Sequence, residues 1–215
     1  MRDWDSAYKR KGEIQSDVLA LVEETASKLL EEGGKRVLDL GCGTGRHIIF
    51  LASEGFDVYG TDISNNALSI TKKKLEERGL DAKLSKGDMS TLGFEKGFFD
   101  AVISTYVIHH AKLEVIRKVI SEVARVLKAG GLFSFIVLSD EDGWFGRGKE
   151  IEPKTFVNNG DPTEGDIPHH YFSESELREE LKSFEILELF HTHSYSTRRK
   201  VKLAQFEVIC IKKGP

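Results

Sequence analysis

Residues 37–47 read Val-Leu-Asp-Leu-Gly-Cys-Gly-Thr-Gly-Arg-His, an apolar strand with an acid near its end, a glycine-rich turn and the start of a helix. Glycine permits positive backbone φ angles and lets a ligand approach the chain closely, because it has no Cβ. The first turn of the helix presents unpaired N–H groups, which attract negative or electron-rich ligand groups. A second short strand, residues 58–62, ends in Asp62 at the distance that places a carboxylate on the ribose of a nucleotide. The two strands therefore predict a βαβ unit that binds a nucleotide-like ligand.

The spacing of the glycines leaves two classes of ligand open. Dinucleotide-binding folds use G-x-G-x-x-G and seat a pyrophosphate on the helix N-terminus. Here the glycines are Gly41, Gly43 and Gly45, and Asp39 precedes them. The Asp39 carboxylate would repel a pyrophosphate, but it suits a ligand that carries an ammonium group. A ligand of the second kind is favoured, and NAD remains the alternative.

This turn resembles the first motif of class I S-adenosylmethionine-dependent methyltransferases. Three later segments resemble further motifs of that family and come in the family's order: Gly87-Asp88-Met89, residues 98–104 and residues 126–131. The resemblance covers residues 35–138 strongly and the flanks more loosely. It implies S-adenosyl-L-methionine as the cofactor. It also implies an α/β fold with a Rossmann-like seven-stranded sheet, mostly parallel with a C-terminal antiparallel hairpin, and helices on both faces.

The resemblance also assigns the cofactor site residue by residue. Asp39 is expected to reach the methionine ammonium, and Asp62 to accept hydrogen bonds from both ribose hydroxyls. Asp88 is expected to bind the adenine amino group. Tyr8 belongs to an N-terminal segment resembling a lid over the sulfonium, where an aromatic ring would stabilise the cation. The complete set of expected cofactor-binding residues is Tyr8, Asp39, Gly41, Cys42, Gly43, Asp62, Ile63, Asp88, Met89 and Ser104.

Two histidines are candidates for the catalytic chemistry. His109 follows the fourth strand, where the family's substrate side opens, and an ordinary histidine pKa of ~6.5 suits a general base; packing in the core is the other explanation. His191 and Arg199 lie in a segment that loosely resembles the C-terminal hairpin of tellurite-resistance-type methyltransferases, and they would face an anionic substrate. No metal is expected, because the histidine pairs lack H-E-x-x-H or Cys/His spacing.

Strand and helix patterns alternate over much of the chain, which predicts a parallel sheet with ligands at the carboxyl ends of its strands. The expected strands are 35–40, 56–61, 82–87, 100–105, 131–138, 184–190 and 203–211. The expected helices are 16–31, 44–54, 64–78, 112–128 and 173–182.

The pattern divides a single methyltransferase domain, residues 1–215, into four parts. These are an N-terminal lid and helix (1–34), a cofactor-binding core (35–138), a substrate cover loop (139–171), and a C-terminal helix and hairpin (172–215). A long irregular loop in a compact domain is usually functional, so the cover loop is expected to determine substrate specificity.

Composition narrows the class of partner. The 215 residues are 40% hydrophobic and 31% charged, as in a globular domain. No apolar run approaches the ~20 residues that cross a bilayer, the N-terminus lacks a signal-peptide core, and two cysteines fit a reducing cytosol. A cytoplasmic protein with no membrane partner is therefore expected. A net charge of −4 without a long basic tract argues against nucleic acid and favours a small-molecule substrate.

Three functions stay open at this point. The first is methylation of a small molecule by in-line transfer from S-adenosylmethionine. The second is an NAD-dependent oxidoreductase. The third is a noncatalytic S-adenosylmethionine-binding regulator, whose cofactor residues would be the same as those of an enzyme. The oligomeric state is not predicted.

Overall fold

The computed structural model describes residues 4–12, 17–158, 166–197 and 200–214, and these form helices α1–α6 and strands β1–β10. The helices are α1 (Trp4–Lys11), α2 (Ala20–Glu31), α3 (Arg46–Ser53), α4 (Asn65–Arg78), α5 (Leu113–Val126) and α6 (Glu174–Glu180). The strands are β1 (Arg36–Leu40), β2 (Asp57–Asp62), β3 (Lys83–Lys86), β4 (Phe99–Thr105), β5 (Leu127–Leu138), β6 (Lys149–Glu152), β7 (Thr155–Val157), β8 (His169–His170), β9 (Phe184–Ser196) and β10 (Val201–Lys212).

A seven-stranded sheet in the order β3-β2-β1-β4-β5-β10-β9 organises the protein. Strands β1 to β5 pair in parallel, and β10 pairs antiparallel with both β5 and β9. The strand order runs in opposite directions on the two sides of β1 and β4. In open α/β sheets such a reversal leaves a crevice at the carboxyl ends of the strands, where ligands bind. The expected fold class is confirmed.

Apolar side chains fill both faces of this sheet. Helix α5 places a stripe of buried residues on one face at helical spacing: Ile116, Val119, Ile120, Val123 and Val126. Helix α2 buries a second stripe on the opposite face: Leu21, Val22, Ala26 and Leu29. The central strands are covered on both faces, which explains why the β1 segment is apolar without alternation. No helix among the described ranges is long and apolar enough to span a bilayer.

Two strands differ clearly in extent from the sequence expectation. Strand β5 begins at Leu127 rather than at residue 131, because Leu127 already pairs with Phe99 of β4 and ends α5. Strand β9 continues to Ser196 rather than stopping at residue 190, because β10 pairs with it along its whole length. Polar residues in the extended part of β9 conceal this pairing from a search for apolar periodicity.

The cover segment, residues 139–171, is more regular than expected. Its described residues contain a second sheet in the order β6-β7-β8, with antiparallel pairing throughout. Strands of two to four residues are too short to show a period in the sequence. Residues 159–165 of the segment lie outside the described ranges.

Candidate active site

A cavity of about 300 Å³ lies at the carboxyl ends of the parallel strands, where the strand order reverses. Binding pockets for small ligands begin at about this size. Most of the residues expected to bind the cofactor line the cavity: Tyr8, Gly41, Cys42, Gly43, Asp62, Ile63, Asp88 and Met89. The fold thus brings together residues that are separated by up to 81 positions along the chain, as the number difference between Tyr8 and Met89 shows.

The turn after β1 requires glycine for steric reasons. Gly41, Gly43 and Gly45 have φ angles of 76°, 53° and 80°, a region that other residues rarely adopt. A Cβ at Gly41 would collide with the Val107 side chain, and one at Gly43 would lie 2.7 Å from the Tyr8 hydroxyl oxygen. The alternate glycines therefore let two neighbouring segments close around the cavity.

Asp62 is held at the cavity wall by the backbone. Its Oδ2 accepts a hydrogen bond from the Gly43 N–H at 2.8 Å, and its Oδ1 accepts one from the Ser64 N–H at 2.8 Å. Burial raises the pKa of this carboxyl group, and the backbone hydrogen bonds oppose the rise. The side chain therefore joins the turn after β1 to the start of α4 and offers its remaining acceptor sites to a ligand.

Asp39 and Ser104 are placed differently from the other expected residues, because both are buried and neither lines the cavity. The Ser104 hydroxyl donates a hydrogen bond to the Leu40 carbonyl at 3.1 Å and so links β4 to β1. Asp39 Oδ2 has no hydrogen-bond partner among the described residues. Burial raises the pKa of Asp39 to about 7, although the nearby Arg46 charge lowers it.

Helix α1 forms one wall of the cavity through Trp4 and Tyr8. Its Asp5 fastens the helix to the N-terminus of α4: Oδ1 accepts from the Ser64 hydroxyl at 2.8 Å and the Asn66 N–H at 3.0 Å, and Oδ2 accepts from the Asn66 side-chain amide at 2.8 Å. Burial and the Asp62 charge both raise the pKa of Tyr8, so its hydroxyl keeps its proton. Tyr8 thus lies at the cavity wall, and its role in a lid stays a prediction.

Of the two adjacent histidines after β4, His110 lines the cavity and His109 does not; His47 lines it from the first turn of α3. His109 is only 2% exposed, and its ring packs against His110 at 4.2 Å between ring centroids. Burial, together with the charges of two nearby histidines, holds the pKa of His109 well below its ordinary value. His110 contacts the Trp4 ring at 4.9 Å. The general base predicted at His109 stays a prediction, and the buried position of that ring away from the cavity makes His110 the histidine of this turn that is better placed to contact a ligand.

The second expected catalytic residue, His191, lies away from the cavity. Its Nε2 is 2.8 Å from the Ser139 hydroxyl oxygen, and its ring stacks on Phe206 at 4.3 Å. It stands beside Glu141 and His193. Arg199, its expected partner in anion binding, lies outside the described residues.

The sequence reasoning missed part of the cavity wall directly after β4. Tyr106 and Val107 line the cavity together with His110. Tyr106 has a φ angle of 58°, which is uncommon for a residue with a side chain, and its hydroxyl donates to Gln205 Oε1 at 2.9 Å. An aromatic residue at the carboxyl end of a central strand is the signal that would have extended the site beyond Ser104.

The aromatic residues of the cover pack on one another. Phe145, Phe156 and Tyr171 form a cluster with ring centroids 5.5–6.0 Å apart. The cluster does not line the cavity, so its direct effect is to hold the cover sheet together.

Comparisons with known proteins agree with this geometry. A family model described as a methyltransferase domain matches residues 37–131. A demethylmenaquinone methyltransferase from Thermus thermophilus is 36% identical over 104 residues, which are 47% of this chain and 46% of that protein. A solved SAM-dependent methyltransferase from Methanosarcina mazei aligns with a TM-score of 0.78 at 24% identity, covering 93% of this chain and 100% of that chain. TehB from Haemophilus influenzae aligns with a TM-score of 0.68 at 19% identity, covering 97% of this chain and 66% of that chain.

The comparisons support different levels of conclusion. The chain spans about half the length of the curated relatives it matches. At their low identities the two solved structures show the fold alone. The family match covers the turn after β1, the acid that ends β2 and the strands that follow, and it favours a methyltransferase over an NAD-dependent oxidoreductase.

Proposed function

From the membership of this chain in the class I S-adenosylmethionine-dependent methyltransferases, we propose that it transfers the methyl group of that cofactor to a small molecule. The observation that carries the proposal is the convergence of the glycine turn, Asp62 and the Asp88-Met89 pair on one cavity that α1 covers.

The residues at the cavity fit the cofactor. The glycines at positions 41 and 43 let Val107 and Tyr8 close around the cavity, and Asp62 presents carboxylate oxygens that can accept from two adjacent hydroxyls. The buried Asp39 Oδ2 lacks a partner among the described side chains and backbone groups, which suits a ligand ammonium reached through water. Trp4 and Tyr8 supply aromatic rings, whose faces stabilise a cation by about 0.5–2 kcal/mol.

The protein's part in the reaction is mainly alignment. When bound, S-adenosylmethionine supplies a methyl group on a positively charged sulfur, already activated for in-line displacement. Asp62, Asp39 and the glycine turn would hold the two ends of the cofactor, and such positioning can provide about 7–11 kcal/mol. Tyr106 and His110 form the side of the cavity after β4, where an acceptor would enter. A ring nitrogen of His110 would take the proton of an acceptor that is protonated at neutral pH.

Two observations support a small acceptor. The Thermus thermophilus relative is named for demethylmenaquinone. The net charge of −4 disfavours a long nucleic acid, because phosphate contacts need a positive surface. A noncatalytic binding role for the same site is the outcome against which the proposal is tested.

Calorimetry with S-adenosylmethionine and S-adenosylhomocysteine tests the cofactor part of the proposal. Asp62→Ala should weaken binding by about 1–3 kcal/mol, since it removes a set of charged hydrogen bonds. Asp57→Ala, at the other end of β2 and paired with Arg36, is the matched control and should leave affinity unchanged. Equal affinity in the Asp62 variant, or binding of NAD in place of S-adenosylmethionine, would refute the cofactor assignment.

Radiolabelled methyl transfer to a panel of metabolites tests the enzymatic part. Incorporation of label into a small product, lost in Asp62→Ala, is the expected result. Tight cofactor binding without transfer to any acceptor in extracts or panel would favour the regulator.

A further inference from the structure

Three side chains that can bind metal lie together beside the first residues of the cover: Glu141, His191 and His193. One ligand atom from each lies within 4.8 Å of the other two. The histidines are two positions apart on β9, so their side chains leave the same face of the strand, and their ring centroids are 4.3 Å apart. His193 Nε2 lies 3.1 Å from Glu141 Oε2. The group does not line the cofactor cavity and plays no part in the proposed methyl transfer.

The backbone that carries Glu141 is fixed to β10. The Ser139 N–H donates to the Ala204 carbonyl at 3.0 Å, and the Gly143 N–H donates to the Lys202 carbonyl at 2.9 Å. The Glu141 N–H donates to the Ser139 hydroxyl oxygen at 3.1 Å. Since β10 also pairs with β9, regular structure holds the carboxylate and the two imidazoles on one side of the hairpin.

Two imidazole nitrogens and one carboxylate oxygen are the ligands of one type of zinc site, which leaves a fourth position to water. Metal–ligand bonds of about 2.0–2.1 Å in a tetrahedron place the ligand atoms about 3.4 Å apart. Small side-chain rotations that draw in the atoms now within 4.8 Å would complete this arrangement. We propose that Glu141, His191 and His193 bind a divalent transition-metal ion of the Zn²⁺ class.

Lys202 competes with the metal for the same carboxylate. Its Nζ lies 3.2 Å from Glu141 Oε2, and its side chain is 49% exposed, so it can move into solvent when a cation arrives. The ion would also displace the contact of His191 Nε2 with the Ser139 hydroxyl. Removal of the Lys202 charge should therefore tighten metal binding at this cluster. Metal binding to a lone surface histidine elsewhere would not change in the same variant.

The test is zinc binding by tag-free, full-length protein at pH 7.5, followed by competition with a chromophoric chelator and by the absorption spectrum of bound Co²⁺. We expect one equivalent of Zn²⁺ per chain and a Co²⁺ spectrum typical of four-coordinate sites. Glu141→Gln and His193→Gln should each weaken binding about tenfold or more. Lys202→Gln should strengthen binding severalfold. Glu185→Gln, an exposed acid on the same strand, is the matched control and should bind as the wild type does.

Two results would overturn the proposal. The first is wild-type protein that binds no Zn²⁺ at micromolar concentrations. The second is binding that persists unchanged in both Glu141→Gln and His193→Gln, which would place the ion elsewhere. Circular dichroism of each variant confirms that it is folded. Because the readout is metal affinity, the result is independent of whether the cavity binds S-adenosylmethionine.

Discussion

At the scale of single residues, burial raises the pKa of two acids of the predicted cofactor site, but the two carboxyl groups have different hydrogen-bond partners. Asp62 receives backbone hydrogen bonds from Gly43 and Ser64, which favour its charged form. Asp39 is buried with an unpartnered Oδ2 among the described residues, and its pKa rises to about 7. A ligand ammonium would favour the charged form of Asp39, so cofactor binding should release a proton there.

This proton release predicts a pH dependence of cofactor affinity. Below pH ~7 Asp39 is protonated in the free protein, so S-adenosylmethionine affinity should fall by up to about tenfold per pH unit as the solution becomes more acidic. Above that pH the affinity should level off. Calorimetry in buffers of different ionisation enthalpy measures both the affinity and the proton release. In Asp39→Asn the slope should vanish, and a slope equal to that of the wild type would assign the proton to another group.

The different placements of His109 and His110 lead to a second prediction. If the acceptor carries a proton, His110→Gln should lower the turnover number about 100-fold, because a positioned base contributes at least that much. His109→Gln is the neighbouring control and should keep most of the turnover if the fold survives, since its ring does not line the cavity. Single-turnover methyl transfer at saturating cofactor measures this step. A larger loss in the His109 variant would restore the original assignment.

At these positions the sequence predicts which chemical groups are present better than it predicts where their side chains point. Residue type and spacing correctly brought Gly41, Asp62 and Asp88 to one cavity. Adjacent histidines in a turn, by contrast, differ only in backbone angles that the sequence does not display. The same limit hid Tyr106, which lines the cavity and has a left-handed φ angle.

At the scale of elements, the cover behaves as a small sheet that is fastened to the main one. The His170 N–H donates to the His109 carbonyl at 2.8 Å, and the Phe172 N–H donates to the Leu138 carbonyl at 2.9 Å. Phe156 is 6% exposed within the aromatic cluster. The first of these contacts ties β8 to the turn that carries His110. We therefore expect the cover to affect the cavity through the position of that turn, and not through direct contact of its own aromatic rings.

Phe156→Ala tests this arrangement. Truncation of a buried phenylalanine lowers the free energy of unfolding by about 3–5 kcal/mol. Because Phe156 is buried within the aromatic cluster, the loss of stability should be local to the cover. We expect faster hydrogen exchange in β6–β8 and altered methylation, with unchanged S-adenosylmethionine affinity. Phe190→Ala, at a 52% exposed position on β9, is the control and should change neither. Exchange that accelerates equally in β1 and β4 would show that the cover and core unfold together.

The elements of the cofactor-binding core and the strands of the cover also differ in how well the sequence predicts them. Strand β1 and helix α3 are long and apolar enough to be recognised, and their glycine turn fixes the boundary between them. The strands of the cover have two to four residues each and are stabilised by pairing with one another and by the hydrogen bond from His170 of β8 to His109. Their pairing depends on residues distant in sequence, so local periodicity cannot reveal it.

At the scale of the whole molecule, we expect buried histidines to lower the stability of the fold in acid. His47, His109 and His170 are all buried, and burial lowers the pKa of each, to about 3 for His47. The unfolded chain, with histidine pKa values near ~6.5, takes up protons first as the pH falls. Asp39 acts in the opposite direction, because its raised pKa gives stability that is present below pH ~4 and is lost as the pH rises through 7.

The three histidines outnumber Asp39 and Asp62, the carboxyl groups whose pKa burial raises, so the free energy of unfolding should decrease as the pH falls below ~6.5. Each neutral buried histidine contributes up to about 1.4 kcal/mol per pH unit to this loss. Urea unfolding at a series of pH values between neutrality and about pH 4 measures the slope. His47→Gln should reduce the slope of unfolding free energy against pH by the amount that corresponds to about one bound proton. A free energy that rises on acidification would mean that Asp39 and other carboxyl groups dominate.

The attachment of α1 has a consequence for the pace of catalysis. Trp4 and Tyr8 form part of the cavity wall, and Asp5 holds their helix on α4. Under the proposed function, we expect movement of α1 to accompany release of the spent cofactor, and we expect release of S-adenosylhomocysteine to be slow relative to methyl transfer. Asp5→Asn should then shorten the residence time of S-adenosylhomocysteine in a stopped-flow displacement experiment and raise steady-state turnover. The most productive form of the protein would be one whose lid is held less firmly.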